Sequence, residues 1–301
     1  MIKRVPASED AMRISGFTIA RQAVALGYPI AESLRSLLPL VDELVVNVGD
    51  ADDGTWETVQ ALADPKIVAF RSTWDLTKRD GQTLSEETNK ALARCDGEWA
   101  VYLQADEVLH EAELPALRAA MARHRSGQVE ALSLRYYHFY GSYQTYKDDP
   151  RQWYPRATRI VRTGTGIESV GDACAFMRRA DGVWLKPRRR DLAEHIFHYG
   201  RVRPPAQMLL KQRNLARLFR GDAWRGDQEV PTEADLSAAF GDTRHLRLFH
   251  GSHPAVMRDR VALADWPRPV PATAWWPEWA RRSYVHGAWL LQRGLAALGR
   301  R

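Results

Sequence analysis

The chain of 301 residues carries 43 Lys and Arg against 37 Asp and Glu, a formal net charge of +6, and is 45% apolar and 27% charged. Those fractions suit a soluble globular fold, and no stretch approaches the roughly 18 uninterrupted apolar residues that cross a bilayer, which excludes an integral membrane protein. Cys95 and Cys174 lie far apart and outside any CxxC pair, which argues against a disulfide scaffold and a zinc–thiolate site and leaves both expected as reduced thiols.

Arg13 to Ile19 mixes β-branched and aromatic residues, and Glu43 to Val48 holds a compact apolar run, so both read as buried strands. Between them Ile30, Leu34, Leu37 and Leu38 recur at helical spacing. A helix begins near Thr55 behind Asp53, whose carboxylate can cap free amides, and Ile67 to Phe70 forms the next strand. A helix over Ser85 to Arg94 precedes the strand Trp99 to Leu103, which runs directly into Gln104-Ala105-Asp106-Glu107. A helix over Leu114 to His124 and a strand at Ala131 to Tyr136 complete this half. Such close alternation predicts an α/β fold with a mainly parallel sheet flanked by helices, and ligands then bind beyond the carboxyl ends of the strands. After about residue 140 the sequence turns aromatic and turn-rich, with short strands at Arg159 to Arg162 and Ala173 to Met177. From Pro205 the pattern is helical, with Met208, Leu209, Leu215, Leu218 and Phe219 in one stripe.

Polar residues that follow strands are the candidates for chemistry. The loop Asn47 to Thr55 joins glycines, which permit tight backbone geometry, to carboxylates able to accept hydrogen bonds from a base or ribose. It reads equally as a polar turn in which Asp53 caps a helix. Asp106 and Glu107 end an almost wholly apolar strand, so at least one carboxylate belongs at the sheet's carboxyl edge, where a hard cation can hold a diphosphate. Basic residues gather between Arg178 and Arg225, as suits a polyanionic partner or a set of solvated helix faces. The aromatics from Tyr136 to Tyr154 either stack on sugars or fill the core. Trp275, Trp276, Trp279, Tyr284 and Trp289, with Arg281, Arg282 and Arg293, form a basic aromatic helix region that packs on the domain or lies on a membrane surface.

Together the pieces resemble the family 2 glycosyltransferases of GT-A (Rossmann-like) fold. Phe17 to Gln22 looks like the first nucleotide-binding strand and its loop, and Asp53-Gly54-Thr55 matches the end of the second loop. Asn89 before Lys90-Ala91-Leu92, the Gly97-Glu98-Trp99 approach to a strand, and Gln104 to Glu107 in the place of Asp-x-Asp continue the likeness, as do Arg159 to Arg162, Val170-Gly171-Asp172 and His198-Tyr199-Gly200. The resemblance implies an inverting transfer from a UDP, GDP or dTDP type nucleotide-sugar to a glycan or lipid-linked acceptor, assisted by Mn2+ or Mg2+. Mapped residue by residue, it implies donor contacts from Thr18, Ala20, Arg21, Asn47, Asp50, Asp53, Asn89, Gln104, Ala105, Arg201 and Lys211. It further implies a metal at Asp106 and His198 and a base at Asp172, with Glu168 as the alternative. Two departures stand out: Gln104 replaces the first aspartate, and Val170-Gly171-Asp172 stands where many relatives carry a His-Glu pair. The expected domains are a nucleotide-sugar-binding and catalytic unit over 1–204 and a helical C-terminal extension over 205–301 packed on it.

Met1 to Arg4, followed by Pro6, Glu9 and Asp10, lacks a secretory apolar run, so the expected location is the cytoplasm, at most at the inner face of the membrane. Two other readings stay open. A nucleotidyltransferase also uses a parallel sheet and metal, but no Gly-rich, Arg-Lys phosphate signature stands near the first strand. A basic nucleic-acid or anionic-membrane binding protein fits the Arg-rich segment, yet would have no use for Asp106 at a strand end; nucleic acid is not an expected partner.

Overall fold

The computed structural model describes residues 12–149, 153–220 and 245–266. The first part of the chain alternates as expected: β1 (Ile14–Ala20), α1 (Ile30–Leu37), β2 (Glu43–Gly49), α2 (Thr55–Gln60), β3 (Ile67–Ser72), α3 (Gln82–Leu92) and β4 (Trp99–Tyr102). β3, β2, β1 and β4 lie side by side and parallel, with Phe17 opposite Val45 on one neighbour and Tyr102 on the other. Every residue of β1, β2 and β4 is buried, because helices and a second sheet cover the two faces.

Side-chain alternation along these strands feeds two cores. Val46, Val101 and Leu103 pack with Leu34 and Leu37 of α1, and with Leu117 and Met121 of α4 (Leu114–Arg123). Phe17, Val45 and Tyr102 point the other way, toward Ala91 of α3 and toward Ile167, Ala173 and Phe176. A fully buried side chain such as Phe17 contributes about 1.5–3 kcal/mol through the water it sheds.

Beyond β4 the sheet reverses. β5 (Glu107–Leu109), β6 (Ala131–Tyr140), β7 (Ser142–Lys147) and β8 (Arg156–Arg162) follow, and β4–β8, β8–β6 and β6–β7 are all antiparallel. The mainly parallel expectation therefore holds only for the first half, and the whole is a mixed α/β sheet. The reason is chain length: β6 and β7 are joined through Gly141 alone, and so short a connection cannot make a parallel crossover. β9 (Ile167–Val170), β10 (Ala175–Ala180) and β11 (Val183–Leu185) make a separate three-stranded sheet. Then β12 (Arg189–Arg201) runs for 13 residues between β6, parallel, and β5, antiparallel.

α5 (Pro205–Arg220) follows as a 16-residue helix. Leu246–Leu248 (β13), by contrast, joins the main sheet as an edge strand on β7. The aromatic helix expected around Trp275 to Trp289 lies outside the described residues. No helix among the described residues is long and apolar enough to cross a membrane.

Candidate donor site at the strand ends

Two adjacent carboxylates leave β4 with opposite tasks. Glu107 turns inward and is fully buried, receiving Arg159 Nε on Oε2 at 2.9 Å, Arg159 Nη2 on Oε1 at 2.9 Å, the Tyr136 hydroxyl on Oε1 at 2.7 Å and the Gln104 amide on Oε2 at 3.1 Å. A bidentate guanidinium with two further donors saturates it, so Glu107 braces the turn and has no lone pair to offer a ligand. Asp106 faces the other way. Its Oδ2 accepts from Lys211 Nζ at 2.8 Å and lies 3.6 Å from His198 Nε2. Burial works against the Asp106 charge, but the Lys211 ammonium and His198 hold its carboxyl well below the usual range.

β12 and α5 bring the other charges. His198 Nδ1 sits 2.9 Å from His138 Nδ1, and His138 Nε2 lies 2.8 Å from the Tyr154 carbonyl. Burial and the nearby His198 push the His138 pKa well down, so His138 is neutral. A carbonyl only accepts, hence His138 donates from Nε2 and accepts at Nδ1, and His198 donates from Nδ1. Gly200 is required here: a Cβ would fall 2.3 Å from His198 Nε2 and 2.8 Å from Asp106 Oδ2. Lys211 also donates to the Gly200 carbonyl at 2.9 Å, and burial lowers its pKa to about 8, against the pull of Asp106. It is therefore an ammonium at neutral pH. Arg203, buried, bonds the carbonyls of Leu26 and Gly200 and fastens the strand end.

These groups open on a cavity of about 390 Å³ beyond the carboxyl ends of β1 and β4. Of the residues expected at the site, Ala20, Arg21, Gln104, Ala105, Asp106, Asp172, His198, Arg201 and Lys211 line it. Asp172 rides a tight loop in which Gly171 and Ala173 both have φ of +62°, an uncommon conformation for an alanine. Gly81, at φ +72°, packs beneath it, where a Cβ would lie 2.8 Å from Asp172 Cα. α5 bridges the opening: at its end the Phe219 and Leu218 carbonyls accept from the amides of Asp80 and Gly81, and Asn214 bonds Gln22 near β1.

The other expected residues lie outside the lining. Thr18 is buried within β1, its hydroxyl turned to the Ile19 carbonyl. Asn47 is fully buried, donating to Glu87 at 2.9 Å and accepting from Ser72 at 2.5 Å, because its side chain points to α3 rather than along the strand. Asp50 accepts from the Trp74 amide and lies 3.6 Å from Arg21 Nε, one step behind the cavity wall. Asp53 accepts from the amides of Ala25 and Thr55, while the Thr55 hydroxyl takes that of Ala23. The Asp-Gly-Thr motif thus lashes down the loop after β1. Asn89 clamps Ser169 with a pair of bonds at 3.0 and 2.7 Å and so positions the strand that carries Glu168. Glu168 itself is not among the lining residues. Tyr28, Tyr102, Trp153, Tyr154, Cys174 and Phe219 line the cavity without having been singled out as donor contacts, since only the topology brings Tyr28 and α5 to the same mouth.

The expected Mn2+ or Mg2+ does not fit the donor set as it stands. Among the described residues the carboxylate oxygen that faces His198 is the atom bound by Lys211, Gln104 offers an amide in place of a carboxylate, and no cluster of three His, Cys, Asp or Glu forms. A hard dication favours several anionic oxygens, and here it would have to displace an ammonium.

Residues 29–183 match the family described as Glycosyl transferase family 2. No curated protein matches the chain. Solved structures that resemble it include TarS from S. aureus, 16% identical with a TM-score of 0.40, covering 68% of this chain and 39% of that one. Residues 1–349 of TarS in complex with UDP are also 16% identical, with a TM-score of 0.40 and coverage of 76% and 70%. Glucosyl-3-phosphoglycerate synthase from Mycobacterium tuberculosis, in complex with Mn2+, UDP and phosphoglyceric acid, is 21% identical with a TM-score of 0.31, covering 42% of this chain and 43% of that one. The chain thus spans well under half the length of the first of these, and the assignment rests on the family match together with the strand-end site: the chain belongs to glycosyl transferase family 2.

Proposed function

We propose that this enzyme transfers a sugar, with inversion, from a nucleoside-diphosphate sugar seated in the strand-end cavity to a hydroxyl-bearing glycan or lipid-linked acceptor. The observation that carries this reading is the convergence of Arg21, Arg201, Lys211 and Asp172 on one cavity at the ends of β1 and β4. The three cations meet the diphosphate, and the aromatic rings of Tyr102, Trp153 and Tyr154 offer faces to base or sugar. Asp172 takes the proton from the acceptor hydroxyl as its oxygen attacks the anomeric carbon. The bond from that carbon to the diphosphate oxygen breaks, and its electron pair leaves with the phosphate, where the cations offset the growing charge.

Isothermal titration with UDP, GDP and dTDP tests the reading, together with release of nucleoside diphosphate from the matching sugar nucleotides. One of the three binds, and Arg201→Ala weakens it at least tenfold. If none of the three binds, the reading falls.

One exposed element favours peripheral contact with an anionic membrane surface as well. Val183, Trp184 and Leu185 of β11 are 58%, 43% and 39% exposed, beside Arg179 and Lys186. Such a basic, apolar hairpin suits a headgroup layer. Co-sedimentation with phosphatidylglycerol vesicles that Trp184→Ser leaves unchanged would remove this second reading.

A further inference from the structure

We propose that Lys211 performs the electrostatic task of a divalent cation, so that this enzyme holds its nucleoside diphosphate without a metal ion. The proposal rests on the donor-site reading above and deepens it.

The geometry of one atom carries the argument. Among the described residues, Asp106 Oδ2 is the one carboxylate oxygen facing His198, and it is taken by Lys211 Nζ at 2.8 Å. An ammonium has three N–H donors; one goes to Asp106 and one to the Gly200 carbonyl at 2.9 Å. The third remains for the cavity that Lys211 lines. The Tyr28 ring lies 4.8 Å from Nζ, within reach of a cation–π contact that steadies the charge. Lys211 thus has what a bound cation has: a carboxylate and a carbonyl behind it and a free site in front.

The charges around it fit the same role. Gln104 removes the carboxylate that would help retain a dication, while Arg21 and Arg201 add positive charge to the same wall. A dication seated at Asp106 would sit against the Lys211 ammonium, and like charges at that separation repel strongly out of bulk water. A nucleoside diphosphate gains the opposite: its oxygens meet cations already fixed by buried partners, so little ordering remains to be done on binding. Lys211 is delivered by α5, which is anchored on both rims of the cavity, and so it is held in place rather than left on a free tail.

Two titrations on the full chain test this. In the first, Mn2+ alone is added and its free-ion EPR signal is followed. The wild type leaves the signal unchanged, whereas Lys211→Ala, with Asp106 freed, reduces it; uptake of Mn2+ by the wild type that Asp106→Asn abolishes would overturn the proposal. The second measures UDP, GDP and dTDP affinity in excess EDTA and in millimolar Mn2+. The wild type binds its preferred nucleotide within twofold under both conditions, and Lys211→Ala loses at least tenfold in EDTA and regains part of it with Mn2+. A wild type that binds only with Mn2+, or a Lys211→Ala that binds unchanged in EDTA, overturns the proposal. Because an unpaired Asp106 can impair folding, the double variant Lys211→Met with Asp106→Asn is measured beside it, and it also loses at least tenfold in EDTA. Absence of nucleotide binding under every condition would instead remove the donor-site reading, and this proposal with it.

Discussion

The two halves of the sheet serve the cavity differently. The parallel half, β1 to β4, supplies strand ends and braces: Ala20, Arg21, Gln104 and Asp106 stand at the edge, while Asn47, Asp53 and Asn89 are committed to bonds that hold loops in place. The half beyond β4 supplies most of the charge, with Asp172 from the loop after β9, His198 and Arg201 from β12, and Lys211 from α5. On the proposed reading, the frame fixes where a ligand sits, and the later segment decides which charges it meets.

Five substitutions break or sharpen that contrast. Asp172→Asn, in the charge-supplying half, should cut turnover about 100- to 10,000-fold with nucleotide affinity unchanged, the loss expected for a positioned base. Steady-state kinetics on the same preparation decide it, and Glu168→Gln, outside the cavity lining, should change turnover less than about threefold. If the two exchange places, the base is Glu168. Glu107→Ala strikes the joint between halves, since the Glu107–Arg159 pair ties the turn after β4 to β8. Removing one member of so buried a pair should cost about 3–5 kcal/mol in urea unfolding, because the guanidinium is left without its counter-charge.

Gly200→Ala should cost about 1–3 kcal/mol by overpacking and should weaken nucleotide affinity too, since the new methyl drives His198 and Asp106 apart. The smallest effect belongs to the bracing half. Asp53 is hydrogen-bonded by backbone amides, which outweigh its partial burial and lower its pKa. A carboxyl depressed in the folded state stabilises above its unfolded pKa of about 3.9, and that stability is lost as pH falls through the folded value. Asp53→Asn should therefore be about 1 kcal/mol less stable at pH 7, with the gap to wild type closing below about pH 4 and nucleotide affinity hardly changed. A large affinity loss instead would return Asp53 to the ligand.

Legibility in the sequence followed locality. β1 to β4 and α1 to α4 were readable because each is a short run with one period, and the turn at Gln104 to Glu107 was locatable because an apolar strand ends on it. The division of labour between Asp106 and Glu107 was not, since it depends on Arg159 and Lys211 reaching the turn from 52 and 105 residues away. β12 was hidden for a related reason: Arg189-Arg190-Asp191 reads as a solvated basic run, and only pairing between β5 and β6 makes it a strand. Asn47 and Asp53 carry the right chemistry for a nucleoside, but sequence alone could not show that their partners are Glu87, Ser72 and the loop after β1.

The separation of 105 positions from Asp106 to Lys211 bears on how the chain is made. Synthesis proceeds from the N-terminus, and by residue 201 every main-sheet strand among the described residues except the β13 edge has been made. At that moment Asp106 is a carboxylate closing into an interior without its counter-ion, and a nascent chain pays for that until α5 arrives. The ion pair at the strand ends is thus completed only after the strands it joins to α5 have been made.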